Sequence, residues 1–277
     1  MSGRLLNRSI SPKILILLLL FSLFPFYIAV SASLKGPAQL FTDPFGLPEK
    51  LHFGNYLGAW HEGNFGRALQ NSSILTLGAV LGVLLTGAPA AYALAKMKIP
   101  GGPFLILIGY IFFCTTIPAQ LFIAPLYLMF ARLGFINSLS GMILIYIAKW
   151  SPFAILLLRS YFIQLPNELL EAALIDGASG WQAFWRVILP VARPGIVTVM
   201  TIVALYSWNQ FLLPLAFLNR PELQPVTVAV VMFQGQWTAE WGKIMASAIL
   251  GVLPILVLFA VLHRRFVAGL AATGLKG

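Results

Sequence analysis

The chain has 277 residues, 59% of them hydrophobic and 9% charged, with a mean hydropathy of +0.88. A soluble domain carries about a quarter charged residues, so the composition excludes a water-soluble globule and indicates one polytopic membrane domain over residues 1–277. The formal charge of +10 raises nucleic acid as a partner, but its placement along the chain excludes that reading.

Six apolar runs are long enough to cross about 30 Å of hydrocarbon, which predicts an all-α protein with six transmembrane helices. The first is Ile14–Leu34, uncharged throughout. Basic residues precede it (Arg4, Arg8, Lys13) and Ala29-Val30-Ser31 offers a small-x-small site near its end. A cleaved signal is therefore a rival reading, but an h-region is usually shorter, and a retained helix is expected. The second run lies in Ala68–Ala95, the third in about Phe104–Phe130, the fourth in about Leu139–Leu158, the fifth in Pro194–Phe217 and the sixth in Ile244–Leu262. Pro89, Pro118, Pro125, Pro152 and Pro254 interrupt several of them, which bundles tolerate where neighbours satisfy the freed carbonyls. Gly78, Gly82, Thr86 and Ala90 recur every four residues in the second run, a stripe that permits close helix packing. The single cysteine, Cys114, lies in an apolar run, so there is no disulfide framework or cysteine metal cluster.

Basic residues set the expected orientation. With a cytoplasmic N-terminus, eleven of the 18 Lys and Arg fall inside and six outside. The inner set includes Lys96, Lys98, Arg159, Arg186, Arg193, Arg264, Arg265 and Lys276. Both termini and the segment around Glu171 are then cytoplasmic.

Sites for chemistry are missing from the sequence. It contains no G-x-x-x-x-G-K-[ST] loop and no G-x-G-x-x-G. His61-Glu62 begins like a zinc helix, but position 65 is Phe, so the second ligand is lacking. No metal, bound cofactor or catalytic set is expected, and the chain is not read as an enzyme.

The polar stretch 166–190 is the informative loop. Pro166 stops the fourth helix, Asn167 is a candidate N-cap, and Glu168 suits the positive helix end. A helix of about two turns is predicted over Glu168–Asp176, with Leu170, Ala173 and Leu174 on one side. Gly177 is the expected left-handed residue that ends it. Ser179-x-x-Gln182 is a capping box that opens a second short helix through Arg186. A short helix with an apolar side and an Ala-Ala patch suits a groove on another protein. A helix lying on the membrane is the alternative, disfavoured by three acids and no Lys.

Glu171-Ala172-Ala173, Gly177 and Val187-Ile188-Leu189-Pro190 resemble the EAA loop of ABC-importer membrane subunits, with Val187 where the pattern has Ile. The flanks Arg159-Ser160-Tyr161-Phe162, Leu165-Pro166-Asn167-Glu168-Leu169 and Ile175-Asp176-Gly177-Ala178-Ser179 resemble the carbohydrate-uptake branch. Trp208-Asn209-Gln210-Phe211 with Pro214-Leu215 resemble that branch's fifth helix, the ending Arg265-Phe266-Val267-Ala268-Gly269-Leu270 with Lys276-Gly277 is similar to maltose-permease G-type subunits, and Ala91-Tyr92-Ala93-Leu94-Ala95 with Gly101 fit the cytoplasmic end of the family's second span. The match covers about residues 65–277. It implies a type I ABC-importer transmembrane fold with a cytoplasmic coupling helix. It also implies a multi-pass place in a prokaryotic inner membrane, and binding-protein-dependent transport of a sugar or oligosaccharide. Related subunits carry glycerol phosphodiesters or polyols. The partners implied are a second related permease chain, two ABC ATPase subunits that use ATP and Mg, and an extracytoplasmic solute-binding protein. The resemblance assigns ATPase coupling to Glu168, Glu171, Ala172, Ala173, Asp176, Gly177, Leu189 and Pro190.

Lys149, Trp208, Asn209 and Gln210 are pore or gate candidates. Lys149 interrupts an apolar span, where a charge costs at least about 2.5 kcal/mol; it serves the pathway or is paired structurally. Asn209 and Gln210 beside Trp208 offer donors and an aromatic face to a sugar, or helix–helix hydrogen bonds. The outer loop Lys35–Arg67, with Phe53, Tyr56 and Trp60, either meets the binding protein or caps the outer leaflet. A secondary transporter, the rival class, would need intramembrane acids, and no Asp or Glu lies in a span core.

Overall fold

The structure, a computed structural model, describes residues 12–97, 99–234 and 240–274, with side chains from Leu262 onward left out. Arg4, Arg8, Lys98, Lys276 and Gly277 lie outside the described residues, as do the side chains of Arg264 and Arg265.

The described chain is helical, in the order α1 (Pro12–Ser33), α2 (Pro37–Thr42), α3 (Gly54–Glu62), α4 (Phe65–Lys96), α5 (Gly101–Thr116), α6 (Ile123–Arg132), α7 (Leu139–Gln164), α8 (Glu168–Ile175), α9 (Gly180–Ala183), α10 (Leu189–Val191), α11 (Arg193–Trp208), α12 (Leu212–Phe217), α13 (Val226–Ala229) and α14 (Trp241–Gly274). Contacts divide it into two units, residues 1–65 with 230–252 and residues 66–229 with 253–277.

In the first unit, α1 keeps its side chains exposed until its last turn, where Ser31, Ala32 and Ser33 are buried. Asn55 ties the start of α3 to that turn by donating Nδ2 to the carbonyls of Ser33 and Lys35. Ala59, Phe233 and Ala246 form a small core. Beside it Lys243 Nζ bridges Glu62 and Glu240 at 2.5 and 2.7 Å.

The second unit holds the main core, built chiefly on α4, α7 and α11. The small-residue stripe packs α4 on α7, as its spacing predicts. A Cβ on Gly78 would overlap Ile143, and one on Gly82 would overlap Ile147. Thr86 Oγ1 lies 3.3 Å from Ser151 Oγ. Each pair is offset by 65 residues in the same direction, so α4 and α7 run parallel and end side by side. The 32 residues of α4 rise about 48 Å, more than the hydrocarbon needs, so one end must project beyond it.

Helices α1, α4 and α7 and the Trp241–Val261 part of α14 are each long and apolar enough to cross a membrane; two bent pairs, Phe104–Thr116 with Gln120–Arg132 and Gly180–Val191 with Arg193–Trp208, raise the number to six if each counts as one span. The expected third run is not one straight span. Ile117, before Pro118, takes an extended conformation (φ −82°, ψ 129°), as a residue preceding proline prefers. The chain then restarts through a 3₁₀ turn, Ala119–Phe122, into α6. The expected fifth run is also broken. Pro214 has no N–H to give to the Gln210 carbonyl, and that carbonyl accepts Thr227 Oγ1 at 2.8 Å instead. Helix α11 stops at Trp208 and α12 follows from Leu212. Pro89, Pro152 and Pro254, by contrast, lie inside continuous helices.

Candidate functional site

Where α4 and α7 end together, the chain turns into the short helices α8 and α9. Helix α8 ends at Ile175 with Asp176 as its cap and Gly177 at φ +80°. Ala178 N–H donates to Ala173 O at 3.0 Å and Gly177 N–H to Leu174 O at 3.1 Å, the paired bonds of a Schellman ending. The capping box is present too: Ser179 Oγ accepts from Gln182 N–H, and Gln182 Oε1 accepts from Ser179 N–H. The second helix runs past the expected end at Arg186. After α9 it continues as a π-helical stretch, Phe184–Ile188, into α10.

Asn167 does not cap α8 through its side chain, contrary to the sequence expectation; its backbone is already helical (φ −68°, ψ −25°). The competing partner is Lys96 at the end of α4. Its Nζ donates to Asn167 Oδ1 and to Leu165 O, each at 2.7 Å. A second bond from α7 to α4, Arg159 Nε to Leu94 O at 3.3 Å, lies one turn away. The start of α8 is thus fixed to both parallel helices.

Phe184 holds the other end. It is fully buried, with ring centroids 4.9 Å from Tyr92 of α4 and 6.4 Å from Phe162 of α7. Trp181 stacks on its outer side at 5.4 Å. These anchors were not singled out in the sequence. The signals available were the i, i+4 pair Tyr92 and Lys96 on one helix face and three aromatics in five positions of a polar loop.

The α8 surface divides unevenly. Leu169 and Leu170 pack against the main core and Ala173 is buried. Glu168, Glu171, Ala172, Asp176 and Gly177 are exposed. Leu174, expected on the same side as Leu170, is 47% exposed, and Ile175 is 85% exposed. The two alanines are therefore not one patch: Ala173 lets α8 approach its own bundle, while Ala172 faces out. Leu189 is half-buried and Pro190 exposed.

The pore candidates are not gathered at one place. Lys149 is half-buried, with Nζ 4.6 Å from the Trp150 ring centroid, and Trp150 stacks on Tyr206 at 5.0 Å. Lys149 lines a largely apolar cavity of about 480 Å³ with Tyr110, Cys114 and Leu213 among its neighbours. Trp208, Asn209 and Gln210 are not among the residues lining it. Trp208 is buried, and Asn209 Nδ2 returns to its own helix at Leu205 O.

Comparison with known proteins fits this architecture. Residues 78–271 match the family described as binding-protein-dependent transport system inner membrane component. The chain is 36% identical to a diacetylchitobiose uptake system permease protein of Streptomyces coelicolor, covering 96% of this chain and 88% of that one. It is 35% identical to a trehalose transport system permease protein of Mycobacterium tuberculosis, covering 93% of each. A solved bacterial ABC transporter involved in import of the acidic polysaccharide alginate has a chain of the same fold, with TM-score 0.80 and 24% identity over 92% of this chain and 94% of that one. The chain belongs to the binding-protein-dependent transport system inner membrane components, the permease proteins of ABC importers.

Proposed function

We propose that this chain forms half of the translocation path of an ABC importer for a sugar or oligosaccharide, paired with a second, related permease chain. Two ATPase subunits bind and hydrolyse ATP with Mg; a solute-binding protein delivers the solute. The loop from Pro166 to Pro190 is the coupling site, and the excess of basic residues on its side puts it and both termini in the cytoplasm. One observation carries this reading: α8 is fixed through Lys96 to the joined ends of two parallel helices while Glu171, Ala172 and Ile175 face outward. A rigid knob of this kind can pass a partner's movement into the bundle. Closure of the ATPase pair moves α8 and opens the path toward the loaded binding protein; hydrolysis resets it.

The sugar assignment rests on the relatives named for diacetylchitobiose and trehalose uptake. The test is reconstitution. The purified chain alone should hydrolyse no ATP. The complex co-purified with it, reconstituted in liposomes with its binding protein, should hydrolyse ATP faster when a cognate di- or oligosaccharide is added. A cysteine at Ile175 should cross-link to the ATPase subunit. ATP hydrolysis by the chain alone, or solute uptake without an ATPase, would overturn the reading.

A further inference from the structure

The first unit carries a turn that descends along α1. Phe24 lies nine residues before the end of α1 at Ser33, about 13 Å of helical rise. Its ring nevertheless meets that of Phe45, with centroids 6.4 Å apart. Tyr27 Oη donates to Phe45 O at 3.0 Å and Ser31 Oγ to Gly46 O at 2.8 Å. The segment after α2 therefore does not stand off into water from the end of α1. It packs beside the last two turns of the apolar helix, with the Phe45 ring reaching back to Phe24.

Hydrocarbon admits irregular backbone only when its polar groups are satisfied internally. This turn meets much of that demand through its carbonyls. Four of its carbonyls accept side-chain donors: Asp43 O from Lys35 Nζ, Phe45 O from Tyr27, Gly46 O from Ser31 and Leu47 O from Gln39. Pro44 and Pro48 bring no N–H, and Gly46 N–H donates to Asp43 Oδ1. The donor Lys35 is itself fully buried. Three large apolar side chains face outward, Phe41 74% exposed, Phe45 64% and Leu47 71%, beside exposed Thr42, Asp43 and Pro44. They continue the exposed apolar surface of α1, while Glu49 and Lys50 stand beyond Pro48.

We propose that Phe41–Leu47 is a lipid wedge, inserted among the acyl chains of the leaflet at the C-terminal end of α1. It anchors the first unit in the membrane. A protein partner covering the same residues is the competing occupant.

Nitroxide labels separate the two. In a Cys114→Ala background, Phe45→Cys and, separately, Leu47→Cys and Glu49→Cys are labelled in the full chain, purified with its co-purifying chains and placed in phosphatidylglycerol-containing liposomes. Power saturation then reports collisions with oxygen, which concentrates in lipid, and with a water-soluble nickel chelate. Labels at positions 45 and 47 should meet oxygen several-fold more readily than nickel, with the reverse at 49. Nickel access at 45 and 47 equal to that at 49 would overturn the wedge. Labels shielded from both reagents would overturn it in favour of a protein-covered surface. Position 47, the more exposed of the two, keeps the test open if the label at 45 prevents assembly.

Discussion

Lys96 and Asn167, 71 residues apart, meet through a 2.7 Å hydrogen bond from Nζ to Oδ1. That bond joins the end of one membrane helix to the first residues of α8. Asn167 is a side chain that would ordinarily cap its own helix. Here it is turned to a neighbour, so the position of α8 depends on α4 as much as on α7, the helix that leads into it.

Lys96→Met should therefore loosen α8 without unfolding the bundle. A hydrogen bond to a charged group contributes about 1.5–3 kcal/mol when shielded, and less at this half-exposed position. We expect the complex to assemble, solute-stimulated ATP hydrolysis to fall several-fold, and basal hydrolysis to change little. Lys96→Arg should restore most of the stimulation, since it can donate to the same two oxygens. Normal stimulation in the Met variant would remove Lys96 from the transmission path.

Gly177 tests the Schellman ending. No heavy atom lies within 4 Å of where its Cβ would sit, so substitution meets no steric obstacle. The cost lies in the backbone, since φ +80° suits glycine and penalises other residues by about 1 kcal/mol or more. Gly177→Val should leave membrane insertion intact and weaken ATPase attachment or coupling. Gly177→Asn, which tolerates the left-handed region, should do less harm. Pull-down of the ATPase by each variant, with uptake measured beside it, distinguishes a bent α8 from a merely altered surface.

Gly82 tests the parallel packing of α4 on α7. Its Cβ would meet the end of the Ile147 side chain, which can shift for one methyl but not for an isobutyl group. Gly82→Ala should be mild. Gly82→Leu should destabilise by about 1–3 kcal/mol, the usual cost of overpacking, read as a lower unfolding temperature in detergent. Adding Ile147→Ala should recover part of the loss; no recovery would place the strain elsewhere.

The local features of the loop were legible in the sequence because they are short-range. Gly177 and the Ser179–Gln182 box depend on residues within a turn of each other. The stripe at Gly78, Gly82 and Thr86 was legible because helical spacing puts it on one face, although its partners Ile143, Ile147 and Ser151 were not identifiable from α4 alone. What stayed hidden was long-range. Nothing near Asn167 announces that Lys96 will take its oxygen, and Phe184 looks like one more aromatic until α4 and α7 bring Tyr92 and Phe162 to it. The breaks in the third and fifth runs share one cause. Both runs satisfy the length rule, but Pro118 and Pro214 each remove a helical bond, and composition does not say whether the helix continues through, as at Pro152, or breaks.

Lys149 presents the sharpest choice. Its ammonium lies against the face of Trp150 and lines an apolar cavity. A charge within a span is tolerated when water, a solute or a polar group reaches it. If Lys149 only satisfies itself against the Trp150 face, Lys149→Met removes a desolvation cost and should raise stability while uptake is unchanged. If the solute or a gating movement uses the charge, the same variant should lose uptake several-fold at equal or higher stability, and Lys149→Arg should retain more of it than Met. We expect the second result, because Lys149 lines a cavity of about 480 Å³, room enough for a polar group beside it. Thermal unfolding of the assembled complex and solute uptake in the same preparation decide the matter: a more stable Met variant with unchanged uptake would leave Lys149 no part in transport.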